Sequence, residues 1–477
     1  MVGARQDRPR VRAAGLVRHR EIRPREIGGR EIGDREIGDR ERGRAQDREI
    51  LRLAVPAFLA LVAEPLFLLA DSAVVGHLGT PQLAALGIAS AVLGTLVSLC
   101  IFLAYGTTAS VARQVGAGNT RGALVQGIDG LWLATLIGLV LTALTWPLSG
   151  AIVALFGPGA RVAELTETYL RIALLGVVPL LLMLAATGVL RGLQDTRTPL
   201  VVAVVGNLAN IALNLVLVYG AGPFDGLGIA GSALGTLIAQ LGSALALVWV
   251  VVRGAQREAA SLRPDLPGIR QAGRAGVPLI MRTLMLRASL LVMTYAAARL
   301  GEADLATMQL ALTIWTFLAF TLDAVAIAAQ AITGRYLGAA DAEGTRAVTS
   351  RMERWGWLSG VVTGLALAAL SPVLGRLFTT DPAVLDLLVP VLLVAALAQP
   401  LAGIVFVLDG VLIGAGDGAY LAWAQLVTLA LFAPAAWLVS GNGLTWLWVA
   451  FATCFMGGRA VTLLLRARGD RWMRLGA

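Results

Sequence analysis

GVLRGLQD, residues 188–195, and GVLIGAGD, residues 410–417, are one phrase written twice. Gly188, Val189, Leu190, Gly192 and Asp195 return as Gly410, Val411, Leu412, Gly414 and Asp417, an offset of 222 residues. Val55-Pro56 against Val277-Pro278 keeps the same offset, and so does Gly116 in RQVGAG against Gly338 in RYLGAA. Three distant anchors at one offset mark an internal duplication. Uncharged runs lie between the anchors, at 131–160, 198–224, 226–252, 387–408 and 418–458. About 20 apolar residues cross a bilayer as a helix, so the duplicated unit is a set of membrane helices.

Composition agrees. The 477 residues are 57% hydrophobic and 14% charged, where a soluble domain carries about a quarter charged residues; mean hydropathy is +0.76. The fold class is an all-α polytopic membrane protein. Twelve spans are expected: 53–76, 83–110, 123–147, 164–190, 198–219, 228–252, 275–298, 305–333, 355–374, 387–412, 418–439 and 444–465. Six per half is an even number, so both halves share one orientation, a transporter architecture. The expected organisation is a charged tail at 1–50, a first lobe at 51–252, a linker at 253–274, a second lobe at 275–466 and a short tail at 467–477.

The net charge of +9 comes from arginine alone, since the chain has no lysine. Nucleic acid is set aside as a partner because the arginines read as topology signals. Thirteen lie in loops that would be cytoplasmic, against Arg161, Arg299 and Arg376 on the other side. Both termini are therefore expected in the cytoplasm and the chain in the cell membrane. Arg171 does not fit this count and either snorkels or pairs with Glu167. Lack of lysine removes the P-loop and Schiff-base chemistries. The two cysteines (Cys100, Cys454) and two histidines (His19, His77) build no metal cluster or nucleophilic triad. No enzyme activity, cofactor or metal is expected. The tail repeats REIGD every five residues, a period that forms no apolar face, and is expected to be disordered.

The differences between the halves point to chemistry. Asp71 is followed by forty-one residues without an acid, Lys or Arg. Glu64 lies two turns earlier, on the same face, with Pro65 between them to loosen the helix. Their repeat partners are Met293 and Leu286, so the acids belong to the first lobe alone. The fifth span carries Asn207, Asn210 and Asn214 on one face, and the sixth offers Thr236 and Gln240. This stripe is expected to face Asp71. Taking a carboxylate out of water disfavours its charged form, so such an acid can bind and release a proton near neutral pH. One proton moving down 100 mV supplies about 2.3 kcal/mol, roughly a 50-fold concentration ratio for a neutral partner. In the second lobe Arg282, Asp323 and Asp409 are expected to form a buried ion-pair cluster, as a static tie or a latch.

LAVPAFLALVAEPLFLLADSAVVGHLG, GVLRGLQDTRTPL with GNLANIALN, and LDAVAIAAQAITGRYLGA resemble the multidrug and toxic-compound extrusion (MATE) transporters, in their DinF-like branch. The resemblance covers about Leu51 to Leu465. It implies two six-helix lobes forming a V, a central cavity and secondary antiport. It also implies proton coupling through the first-helix acid, here Asp71. The family's fifth helix commonly carries Asn and then Asp four residues later; here the pair is Asn210 and Asn214. The sodium-linked branch has an acid in the seventh helix, which this chain lacks.

The expected function is export of small amphipathic, often cationic, organic compounds by proton antiport, with sodium as the second choice of ion. Asp71 couples, and Glu64, Asn207, Asn210, Asn214 and Thr236 support it. Phe67, Tyr105, Gln240, Trp315 and Phe317 are candidates for the cavity wall. The partners are substrate and lipid, with the chain a monomer. Alternatives on the same scaffold are a flippase for a lipid-linked precursor and an exporter of a metabolite or organic acid. A basic cavity built by Arg282 and Arg287 would favour the flippase. Pairing of those arginines with Asp323 and Asp409 would favour the exporter.

Overall fold

A computed structural model describes residues 25–221 and 224–476. The first half comprises α1 (Arg25–Gly76), α2 (Thr80–Cys100), α3 (Phe102–Gly116), α4 (Thr120–Thr145), α5 (Ser149–Ala154), α6 (Ala160–Leu175), α7 (Val177–Gly192), α8 (Arg197–Tyr219) and α9 (Ile229–Arg257). The second comprises α10 (Leu266–Ala298), α11 (Glu302–Gly338), α12 (Ala342–Leu374), α13 (Pro382–Gly414), α14 (Gly418–Val439), α15 (Leu444–Ala450) and α16 (Gly457–Arg468). A π turn, Phe451–Met456, joins the last two. Among the described residues, eleven helices are long and apolar enough to cross a membrane, or twelve with α6 and α7 taken as one bent span.

The repeated glycines are places where helices touch. In the first lobe a Cβ on Gly188 would lie 2.5 Å from the Ala104 carbonyl oxygen, and one on Gly192 would lie 3.0 Å from that of Thr108. In the second, Gly410 and Gly414 stand in the same way 2.2 Å and 2.3 Å from the carbonyls of Ala326 and Gln330. Small residues four apart let two membrane helices meet backbone to backbone. Here they seat α7 on α3 and α13 on α11. The turns after these helices are also copies: Gln194 has φ 65° and Gly416, its repeat partner, φ 73°. Gln194 accepts the left-handed conformation while its side-chain amide donates to Ala331 O of the other lobe at 3.1 Å.

The lobes meet through reciprocal contacts at the ends of α3 and α11. A Cβ on Gly116 would fall 1.9 Å from Arg335 O, and one on Gly338 would fall 1.9 Å from Arg113 O. Gln330 Nε2 donates to Tyr105 O at 2.6 Å, and Arg113 Nη2 to Ala415 O at 2.9 Å. The middle of α1 and the first third of α10 reach the other lobe here. Ala57 of α1 packs with Ala324 and Ile327 of α11, and a Cβ on Gly276 of α10 would lie 2.2 Å from the Phe102 ring of α3. Gly338→Ala is expected to force the lobes apart at this end and to lower stability by about 1–3 kcal/mol, the range for overpacking. Gly94→Ala, which meets nothing within 4 Å, is the control that leaves the thermal midpoint in detergent no lower.

Three expectations change. The span expected at 164–190 is broken at Gly176 by 46°. A Cβ there would lie 2.5 Å from Gln240 Oε1, and Pro179 follows in the first turn of α7. The charged repeat, expected to be disordered, is helical from Arg25 onward as the start of α1. Arg and Glu are strong helix formers, and the sequence sets Glu26, Glu31 and Glu36 four residues ahead of Arg30, Arg35 and Arg40, a favourable spacing. Residues 1–24 of that tail lie outside the described residues. The linker is also shorter than expected, because helix occupies all of 253–274 except 258–265. Arg171 pairs with Glu167 at 2.7 Å.

Candidate functional site

Asp71 sits near the end of α1 with 5% of its surface exposed. α8 and α9 supply its partners. Asn214 Nδ2 donates to Asp71 Oδ1 at 2.8 Å, and Ser232 Oγ donates to the same oxygen at 2.9 Å. The second hydrogen of Asn214 Nδ2 goes to Asn210 Oδ1 at 2.9 Å, and Asn210 Nδ2 donates to Thr236 Oγ1 at 3.1 Å. Tyr169 of α6 closes the group against Ser232 and Thr236. Asn210, Asn214, Ser232 and Tyr169 are all buried. The i, i+4 spacing of Asn210 with Asn214, and of Ser232 with Thr236, sets each pair on one helix face. One atom is left over: Asn214 Oδ1 is buried and accepts no hydrogen bond. It is held close to α9 at Gly235, where a Cβ would lie 2.1 Å away.

The stripe of asparagines thus divides. Asn210 and Asn214 join Asp71, whereas Asn207 Nδ2 donates to Ala63 O on the backbone of α1 at 3.3 Å. Glu64 is exposed and is not part of this chain of hydrogen bonds. Two turns of helix do not keep it on Asp71's buried side. Thr236 takes part as expected, while Gln240 lies against the Gly176 bend. Sequence reasoning missed Ser232 and Tyr169. Ser232 had a signal, since it stands one turn before Thr236.

In the second lobe the polar cluster differs from expectation. Arg282 Nη2 donates to Asp409 Oδ2 at 2.7 Å, and Arg459 of α16 binds the same oxygen. Asp323 lies within electrostatic reach of Arg282, Arg459 and Arg191 but is not hydrogen-bonded to them. The third member of the triad is therefore Arg459. Tyr105 faces this group and Phe67 is half-buried. Phe317 is 51% exposed. Trp315 is a core residue, not a wall residue: it is buried edge-on against Phe451 and Trp448, with centroids 5.3 Å and 6.0 Å away.

Comparison with known proteins follows this geometry. The MatE family profile matches residues 56–216 and again 278–438, two copies at the offset of 222. The chain belongs to the MatE family. It is 30% identical over 482 residues to Protein DETOXIFICATION 43 of Arabidopsis thaliana, covering 88% of this chain and 90% of that one. DNA damage-inducible protein F of Escherichia coli is 28% identical, covering 88% and 91%. Among solved structures, a MOP superfamily transporter from Pyrococcus furiosus superposes with TM-score 0.80 at 22% identity, covering 89% and 96%. The MatE fold of two related lobes is thus shared across the comparison. MatE proteins are transporters for multidrug and toxic-compound efflux, so the chain is a multi-pass membrane protein of that kind.

Proposed function

We propose that the chain exports amphipathic, often cationic, organic compounds across the cell membrane in exchange for protons. The observation that carries this reading is the buried Asp71 on a chain of reversible hydrogen-bonding groups. With Asp71 ionised, two donors face it and Asn214 Oδ1 is idle. A proton on Asp71 turns an acceptor into a donor. Rotation of the Asn214 amide then offers Oδ1 to that new donor. Asn210 and Thr236 can reverse in turn, which passes the change in hydrogen bonding from Asp71 along the chain of polar groups. An asparagine at 214 suits a site that titrates one carboxylate.

α1 supplies the link to the gate. One rod holds Asp71 at one end of the first lobe and packs Ala57 on α11 at the lobe–lobe contact. Pro65 interrupts its hydrogen bonds in between. Repacking at Asp71 is thereby passed toward the contact that must part during alternating access. By the arginine count that contact lies at the cytoplasmic end. Sodium is the second choice of ion. Arg282 is taken up by Asp409, whereas Arg287 is exposed and makes no ion pair among the described residues; the pairing of Arg282 supports an exporter of amphipathic compounds over a flippase with a basic cavity.

The test is accumulation of a fluorescent lipophilic cation in everted membrane vesicles under an imposed pH gradient, with and without sodium. Accumulation that needs the gradient and not sodium supports the proposal; dependence on sodium alone overturns the choice of ion. Gly235→Ala is a further prediction. Its Cβ would displace Asn214 from Asp71, so coupling should fall sharply at unchanged expression although no polar residue is altered.

A further inference from the structure

The short connection between lobes ends on a groove whose chemistry the transport reading leaves unused. The first two turns of α10 form it: a cavity of about 650 Å³ lined by Leu266, Pro267, Arg270, Gln271 and Arg274. Arg270 and Arg274 are one turn apart and exposed, and neither is within salt-bridge distance of an acid among the described residues. Leu266 is 75% exposed beside them. The acids of this region are engaged elsewhere. Asp265 accepts from Gly268 N at 3.1 Å, and Asp129 accepts from Asp265 N at 3.3 Å.

Aromatic residues fix the depth of the groove. Trp132 of α4 donates its indole N–H to Leu262 O of the connection at 3.1 Å and is partly exposed. Tryptophans gather where hydrocarbon meets headgroups. The groove therefore lies at headgroup level, with two exposed guanidinium groups on its wall.

We propose that this groove seats the phosphate of an anionic glycerophospholipid. The planar donors of Arg270 and Arg274 suit phosphate oxygens, and Val277 and Met281, further along α10 toward the bilayer and 55% and 44% exposed, offer apolar surface to the start of an acyl chain. Basic pockets of this kind beside membrane helices recognise anionic headgroups. Such a lipid would brace the only covalent tie between the lobes. This site does not depend on Asp71 or on the coupling ion.

The experiment is thermal unfolding of the purified full-length protein in neutral detergent, titrated with phosphatidylglycerol, with phosphatidylcholine or with inorganic phosphate. Arg270→Gln/Arg274→Gln is run alongside. The expected result is a rise in melting temperature with phosphatidylglycerol that exceeds the rise with phosphatidylcholine, with no rise from phosphate. In the double variant the apparent affinity for phosphatidylglycerol should fall about 30-fold, from the roughly 1 kcal/mol that each arginine near a membrane surface contributes. The variant's melting temperature in phosphatidylcholine should match the parent's, which shows that it folds. An equal response to both lipids, or an undiminished response in the variant, overturns the proposal. A rise from phosphate alone overturns the lipid in favour of a free anion.

Discussion

Asp71→Asn should fold normally and transport nothing against a gradient. The substituted amide keeps an oxygen where Asp71 Oδ1 stands, so Asn214 Nδ2 and Ser232 Oγ retain their acceptor. What is lost is the ability to gain and release a proton. Gradient-driven accumulation in everted vesicles should drop to the level of vesicles without the protein, with the thermal midpoint near the parent's. Asp71→Ala separates the two effects. It strands two buried donors, each costing about 1–3 kcal/mol when unpaired, so it should lose stability as well as transport. Normal transport by Asp71→Asn would make Asp71 structural and sink the coupling assignment.

The largest loss of stability should follow Asp409→Ala. Asp409 is the shared carboxylate of Arg282 and Arg459, and all three side chains are at least 89% buried by their exposures of 9%, 11% and 6%. Its removal leaves two like charges together in a buried site. Breaking such an arrangement costs about 3–5 kcal/mol. The check is thermal unfolding in detergent, with Asp409→Ala/Arg459→Met as the second variant. Taking one arginine away with the acid removes a stranded charge, so the double variant should be more stable than the single. If Asp409→Ala unfolds at the parent's temperature, the triad carries no structural weight.

Much of this architecture was legible before any coordinates. The anchors at 188–195 and 410–417 are readable because helix contact demands small residues at fixed spacing, and duplication preserves such demands. Asp71 was legible because an acid in an apolar run has few reasons to be there. Asn210 and Asn214 were found by periodicity, which places residues on one face of a helix. Periodicity does not say which neighbour that face meets. Asn207, on the same stripe, turned to the α1 backbone, and Glu64 ended on the exposed side. Arg459 was passed over because it lies within an apolar span with no acid on its own helix to suggest a partner. Its carboxylate, Asp409, is fifty residues earlier.

The sequence by itself determined the membrane class, the count of spans near twelve, the two-fold repeat and the one-sided placement of Asp71. Each is a local property, set by hydropathy, by spacing along one helix or by direct comparison of two stretches. The tertiary structure alone decided that Ser232 and Tyr169 join Asp71, that Arg459 shares Asp409 with Arg282, and that α1 at Ala57 and α10 at Gly276 each reach the opposite lobe. These are meetings between helices far apart in the chain. They depend on how whole faces pack, which no single segment encodes.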